Sequence, residues 1–380
     1  MALLPDLSIV VVNYNTSLYV EALFDTLFDS TVLIDGRDAV IEIVLVDNAS
    51  RDEDHERLSR LAADPRVRLV RNTENVGYAI ANNQGLHITS GKWHCVSNPD
   101  VMVQPGCLQR LIDCVETLPD AAIVGPMATM DKDGEVFMPP NELPDPYIEA
   151  LTATSRHEHA VCRYNVRRRA RYACRYWMAT EPIPVAMLSG GFFLGRRDTF
   201  EDHGLFDPCY PLYYEDTDLF RRFHEQGLRL WHVPDARIVH HFSRSAIPRM
   251  KAAMYRNVVG ARRYFKKFFG HAGLRTWNDM QDRAARFDRD QECPYEFEAV
   301  PPTSTPPTLD LPEGEDVYVE VAGNPKFSLT VGIFPGRAGP YELPMSFWLE
   351  LANIDYWCRA ASVRTGDTIK VWRLTKCPAT

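Results

Sequence analysis

The sequence predicts an α/β fold: a mostly parallel sheet covered by helices on both faces, followed by a small all-β module. Three observations predict it. Leu7–Val12 and Ile41–Val46 are continuous apolar runs, the pattern of strands buried on both faces. Segments of helical length separate these and later strand candidates, so neighbouring strands run parallel. Polar residues follow three of the strands, where open α/β sheets bind ligands.

The elements follow in order. Leu7–Val12 is the first strand, and Leu18–Phe28 the helix after it. Ile41–Val46 leads into the helix Asp52–Ala62, and Val67–Val70 into the helix Ala79–Thr89. Trp93–Val96 is a fourth strand, Gly106–Leu118 a further helix and Ala121–Val124 one more strand. Right-handed crossovers bring the ends of Leu7–Val12, Ile41–Val46 and Trp93–Val96 to one edge. The segment Ala128–Pro184 differs: prolines at 139, 140, 144 and 146 precede an arginine-rich stretch from Arg156 to Arg175 with Tyr164, Tyr172, Tyr176 and Trp177 interleaved. Val185–Leu194 regains strand character, and Glu215–Gln226 is a helix ended by Gly227. Arg249–Phe269 is a basic, aromatic helix candidate. Cys293–Pro312 is proline-rich and has the composition of a linker. Asp316–Arg373 alternates as strands do, with turns at Gly323, Gly336, Gly339 and Gly366. The expected domains are therefore 1–270 with a basic insertion at 128–184, a linker at 271–308 and a β module at 309–380 that folds separately. Its aromatics Tyr318, Phe347, Trp348, Tyr356, Trp357 and Trp372 make either a sugar-binding platform or a filled core.

Composition narrows the function. At 380 residues, 45% hydrophobic and 24% charged, the chain is globular, and its net charge of −9 argues against a nucleic-acid partner. Nine cysteines without a Cys-x-x-Cys pair read as reduced thiols in the cytoplasm. Met1–Asp6 has no signal-peptide pattern, and no apolar run is long enough to span a bilayer. The expected location is cytoplasmic, with peripheral contact at the inner face of the membrane through the basic segments Arg156–Arg175 and Arg249–Lys267.

Asn13-Tyr14-Asn15, Asp47-Asn48-Ala49-Ser50 and Asn98-Pro99-Asp100 stand at the three strand ends. Singly, each is an ordinary turn or helix cap; on one sheet edge they form a site. Asn98 and Asp100 are two apart and point to the same side of an extended segment. Asp100 offers a carboxylate to Mg²⁺ or Mn²⁺, the ions that neutralise a departing diphosphate, and His240, closing a later strand, can complete the metal site. Ser189-Gly190-Gly191 permits close approach of backbone to a ligand. Glu215 and Asp216 open a helix, where acidic residues also suit the helix dipole; Asp216 is a candidate general base.

In this order the motifs resemble glycosyltransferase family 2, in particular its rhamnosyltransferase-like branch. The resemblance rests on Ser8–Asn15, Val46–Ser50, Asn75-Val76-Gly77-Tyr78-Ala79 with Asn82, Asn83 and Gly85, Asn98–Asp100, Ser189–Phe192, Tyr214–Leu219, Gly227, Val233–Ala236, His240 and Ser243. It implies a GT-A fold and an inverting transfer of a sugar from a nucleotide diphosphate donor, dTDP-rhamnose-like favoured and UDP-sugar second, to a hydroxyl on a glycan or lipid-linked glycan. It implies a nucleotide site at Asn13, Tyr14, Asn15, Asp47, Asn48, Asn75, Gly77 and Asn98. Donor and acceptor contacts fall to Ser189, Gly190, Gly191 and Glu215, metal to Asp100 and His240, and the base to Asp216. Asn98 stands where many members carry Asp. Homo-oligomerisation is a further expectation. The competing readings are a nucleotidyltransferase, against which Asn13–Ser17 holds no Gly, Lys or Arg, and a degenerate glycan-binding scaffold, against which Asp100, Asp216 and His240 are all retained.

Overall fold

The computed structural model describes residues 4–210, 212–240, 250–286, 292–313 and 316–378. It divides into two compact units that interleave in sequence. The first comprises Met1–Ala128, Asn141–Leu143 and Ala179–Lys267; the second comprises Thr129–Pro140, Pro144–Met178 and Phe268–Thr380.

In the first unit, β1 (Leu7–Asn13), α1 (Ser17–Phe28), β2 (Ile41–Asp47), α2 (Asp52–Leu61), β3 (Val67–Arg71), α3 (Tyr78–Ile88) and β4 (Trp93–Ser97) alternate as the apolar runs require. β5 (Val101–Val103), α4 (Cys107–Thr117), β6 (Ala121–Thr129), β7 (Phe192–Arg196), α5 (Glu215–Glu225) and β8 (Arg229–His240) follow, and α6 (Met250–Arg286) begins in this unit and belongs to the second from Phe268. The sheet order is β3-β2-β1-β4-β7-β6. β3, β2, β1 and β4 are parallel, and β7 runs antiparallel between β4 and β6. The chain moves outward from β1 through β2 to β3, then returns to β4 on the other side of β1. Strand order thus reverses between β1 and β4, where α/β sheets open a crevice at their carboxyl ends.

Every residue of β1 is buried, as expected of a strand covered on both faces. α1 buries Val20, Leu23, Phe24 and Leu27. α3 approaches β1 closely because Gly85 carries no side chain: a Cβ there would overlap Val10. The unit's aromatic core gathers Phe193, Phe200, Phe206, Phe220 and Phe223, which anchors α5 through its apolar face.

The second unit departs from a linear domain reading. Its sheet joins Val136–Phe137 to Thr330–Ile333, Val317–Ala322, Asp355–Ser362 and Thr368–Thr375. The arginine-rich stretch forms the helix His159–Trp177, preceded by Pro146–Ser155. That helix belongs with the C-terminal strands because Trp177 lies over Gly332, where a Cβ would overlap the indole, while its Nε1 donates to the Met138 carbonyl at 2.7 Å. Leu309 and Leu311, from the proline-rich segment, are buried in the same core as Val136, Val319, Trp348 and Trp372. The six aromatics proposed for a sugar platform are core residues, each at most 7% exposed. The basic helix candidate at 249–269 is longer than expected and is interrupted at Gly270 (φ 65°, ψ −166°). Arg249, His241 and Ser243 lie outside the described residues. Among the described residues no helix is long and apolar enough to cross a membrane, and all nine cysteines are free.

Candidate active site

Parallel register brings Asn13 opposite Asp47, and Ser97 pairs with both Val11 and Phe192. The carboxyl ends of β1, β2 and β4 therefore share one edge with the start of β7. Asn13 is fully buried. Its amide donates to Ser50 Oγ at 2.9 Å, and its Oδ1 accepts from Thr16 Oγ1 at 2.7 Å. Asn15, in the left-handed region at φ 59°, accepts from the Arg51 amide at 2.9 Å. Asp47 accepts from the Ser50 amide at 3.0 Å and meets His55 Nδ1 at 2.8 Å. Asn48 ties down the next loop, donating to Asn75 Oδ1 and accepting from the Val76 amide, each at 3.1 Å. Gly77, at φ 89°, then opens α3 in a conformation that side chains avoid. Asn13, Asp47 and Asn48 thus act on the backbone of the edge loops, and Tyr14 is half-buried beside them.

The second half of the site is built around Ser189-Gly190-Gly191. The Gly191 amide donates to Ser189 Oγ at 3.2 Å, and the Gly191 carbonyl accepts from the Asn98 amide at 2.7 Å. A Cβ on Gly190 would overlap the Asp216 carboxylate; one on Gly191 would sit 2.6 Å from His240 Cε1 and 3.3 Å from Asn98 Nδ2. One dipeptide therefore lies against the base candidate Asp216 on one side and against His240 and Asn98 on the other. β8 pairs antiparallel with β5 so that His240 lies opposite Val101, next to Asp100. His240 Nε2 is 3.3 Å from Asp100 Oδ1, and both residues are buried. Asp100 Oδ1 accepts no hydrogen bond among the described residues. Buried carboxylate oxygens are rarely left that way.

Glu215 and Asp216 differ in their surroundings. Glu215 is 6% exposed, and its Oε2 has no hydrogen-bond partner among the described residues. Burial, reinforced by the charge of Asp216, pushes its carboxyl up to about 8. Burial also raises Asp216, against two hydrogen bonds that favour its ionised form: Oδ1 accepts from the Thr217 amide at 2.6 Å and from Thr217 Oγ1 at 3.2 Å. The helix N-terminus thus does not by itself hold Asp216 in the ordinary carboxylate range; desolvation is the larger effect. Hydrogen bonds thus favour the ionised form at Asp216, whereas Glu215 Oε2 has none to favour it.

Asp218, fully buried two residues further on, is outside this pair. It accepts from Tyr210 at 3.0 Å, Arg222 at 2.8 Å and Lys267 at 2.6 Å. Tyr213 and Tyr214, at φ 66° and 70°, set the angle at which the chain enters α5. Consecutive left-handed tyrosines are strained, a condition concentrated at functional sites. Gly260 of α6 makes room for this turn: a Cβ there would lie 2.7 Å from the Tyr213 carbonyl.

Sequence reasoning missed Tyr78 as a site residue. Its hydroxyl donates to Asn98 Oδ1 at 2.7 Å. Burial, with the carboxylates of Glu215, Asp216 and Asp100 nearby, holds its hydroxyl protonated far above the usual range. Its place in the Asn75–Ala79 motif was visible, but its direction depends on where α3 begins.

The family model described as Glycosyl transferase family 2 matches residues 8–204. The chain belongs to that family. It is 30% identical over 218 residues to the N-acetylglucosaminyl-diphospho-decaprenol L-rhamnosyltransferase of Mycobacterium tuberculosis, covering 54% of this chain and 68% of that protein. It is 29% identical over 133 residues to the succinoglycan biosynthesis protein ExoO of Rhizobium meliloti, covering 34% of this chain and 35% of that one. Among solved structures it is similar to GalNAc-T7 with UDP, GalNAc and Mn²⁺, at a TM-score of 0.44 and 18% identity, over 62% of this chain and 43% of that one. The rhamnosyltransferase-like resemblance and glycosyltransferase character of the chain stand on the family match and the first of these relatives.

Proposed function

We propose that this family 2 glycosyltransferase moves a deoxysugar of the rhamnose class from a dTDP-type donor to an acceptor hydroxyl on a lipid-linked glycan, with inversion. The observation that carries the reading is the Gly190-Gly191 dipeptide, which has Asp216 on one side and His240 with Asn98 on the other. A site that joins a base to a leaving-group pole needs this juxtaposition. The donor preference draws on the rhamnosyltransferase relative, and the acceptor class on its diphospho-decaprenol substrate.

The residues fit a divalent ion. Asp100 offers a buried oxygen without a hydrogen bond, and His240 an imidazole nitrogen 3.3 Å from it. The described residues hold no cluster of three or more His, Cys, Asp and Glu ligands. Two protein ligands suit Mg²⁺ or Mn²⁺, which fill their shells from phosphate and water. When bound, the ion supplies charge neutralisation for the departing diphosphate.

The protein's own residues do the rest. Asn13, Asn15, Asp47 and Asn48 hold the loops around the nucleotide, and Tyr14 lies beside it. Asn75 and Gly77 shape the donor side, and Asn98 is oriented by Tyr78. Ser189 fixes the Gly190-Gly191 backbone against which donor and acceptor meet. Asp216 takes the proton from the acceptor hydroxyl as it attacks, while protonated Glu215 adds no second negative charge. Incubation with a panel of nucleotide sugars and a lipid-linked acceptor tests the reading by measuring released nucleoside diphosphate. Acceptor-dependent release with dTDP-rhamnose above the UDP-sugars is expected. Release of pyrophosphate from a nucleoside triphosphate instead would replace it with nucleotidyl transfer.

A further inference from the structure

The second unit carries an arginine groove that the transfer chemistry does not use. The helix His159–Trp177 places Arg167, Arg171 and Arg175 four residues apart, in one column along its surface. Like charges at that spacing repel and weaken a helix, so the column costs stability unless an anion meets it. Arg364 adds a cation from the opposite wall. Its turn is held against the helix by Gly366, at φ 72°, where a Cβ would lie 2.7 Å from the Arg167 carbonyl and 3.0 Å from Arg171 Cγ. Tyr164, Arg168, Tyr172 and Met178 complete a groove of about 920 Å³. Among the described residues, Arg167 meets Asp367 at 3.2 Å and Arg168 hydrogen-bonds Asn165, whereas Arg171, Arg175 and Arg364 meet no carboxylate. All three are exposed. Tyr164 and Met178, more than half exposed, give the groove an apolar margin at each end. Guanidinium groups match phosphate oxygens in pairs.

We infer that this groove is a second, non-catalytic binding site for phosphate groups, carried by an anionic lipid or free in solution. Arg171, Arg175 and Arg364 make the charged contacts; Tyr164 and Met178 lie against the apolar neighbourhood of a headgroup. The site is separate from the Asp100 and His240 pair in both residues and chemistry, since it holds its anion without a metal.

Full-length protein in EDTA is tested with inorganic pyrophosphate by calorimetry, and by sedimentation with phosphatidylglycerol or phosphatidylcholine vesicles. Arg171, Arg175 and Arg364 are changed together to Gln. Arg60, Lys132 and Arg337, exposed cations elsewhere, are changed together as a charge control, and Asp100→Asn controls for the donor site. The groove variant should lose about a hundredfold in affinity for phosphatidylglycerol vesicles, at roughly fivefold per cation, or bind pyrophosphate at least about tenfold more weakly. The charge control and Asp100→Asn should bind as the parent does. Binding to vesicles assigns the groove to lipid phosphate, and binding to pyrophosphate alone assigns it to a soluble phosphate. The melting temperature of the groove variant should not fall, because the substitutions relieve repulsion on the helix. Absence of binding to both probes overturns the inference, as does an equal loss in the charge control.

Discussion

At the scale of single residues, the site turns on how two adjacent carboxyls share one proton. Asp216 accepts two hydrogen bonds from Thr217, and Glu215 Oε2 accepts none. Changing Asp216 to Asn keeps the shape and removes the base. Turnover should fall by about two to four orders of magnitude, the usual worth of a general base. Donor affinity, measured by calorimetry, should be nearly unchanged; loss of donor binding would make Asp216 a donor-positioning group instead. Glu215 gives a separate test in stability. Its carboxyl is lifted from 4.5 to about 8, so between these values the folded chain retains a proton that the unfolded chain has released. The stability this contributes is full below the unfolded value and is lost as pH rises through the folded one. In Glu215→Gln that dependence disappears. Thermal unfolding across this window should therefore show the parent losing stability relative to the variant as pH rises. Parallel curves would mean that Glu215 is ionised in the fold.

At the scale of elements, the site is assembled by two close approaches and one clamp. Gly190 lets the loop before β7 lie against α5, and Gly260 lets α6 lie against the strained entry to α5. Lys267 and Arg222 then fix α5 through the fully buried Asp218. Gly190→Ala should lower stability, because the overlapped atoms include Asp216 Cβ at 2.6 Å, which rotation of the side chain cannot move. It should lower turnover by at least about tenfold by displacing the Asp216 carboxylate. Circular dichroism with steady-state kinetics checks both halves of that expectation. Lys267→Met removes one of three partners from Asp218 and should cost about 1–3 kcal/mol of stability by denaturant unfolding. Much of this assembly was legible in the sequence. Buried strands announce themselves as unbroken apolar runs, and the motif order brought Asp100, Gly190, Gly191, Asp216 and His240 together. The clamp was not legible, because Lys267 lies 49 positions from Asp218 and nothing in either neighbourhood marks the pair. Neither was the strain at Tyr213 and Tyr214, since tyrosine carries no sign of a left-handed backbone. The raised carboxyl of Asp216 also escaped: a helix N-terminus is visible in a sequence, whereas the desolvation that outweighs it depends on packing.

At the scale of the whole molecule, the boundary of the second unit decides what can be removed. The alternating pattern after residue 309 suggested an independent module, and the prolines before it a linker. The core is arranged otherwise. Leu309, Leu311, Val319, Trp348 and Trp372 pack with Val136, and Ala322, Phe327 and Trp357 pack with Cys162 and Val166. Trp177, ahead of both, is 5% exposed and rests on Gly332. A chain ending at Cys293 keeps Val136, Cys162, Val166 and Trp177 while deleting the residues that cover them. Burying an apolar side chain of this size contributes about 1.5–3 kcal/mol, so uncovering four is comparable to the whole margin of a typical domain. The truncated chain should therefore aggregate or bind a hydrophobic dye, in contrast to a dispensable module, whose removal would leave a monodisperse protein. Size-exclusion chromatography with dye fluorescence distinguishes the two. Removing 144–178 as well, and joining Leu143 to Ala179, should restore solubility in part, because it deletes the helix that the strands cover. A soluble, dye-negative protein ending at Cys293 would show that the arginine-rich helix finds its own cover and that the two halves of the second unit fold apart.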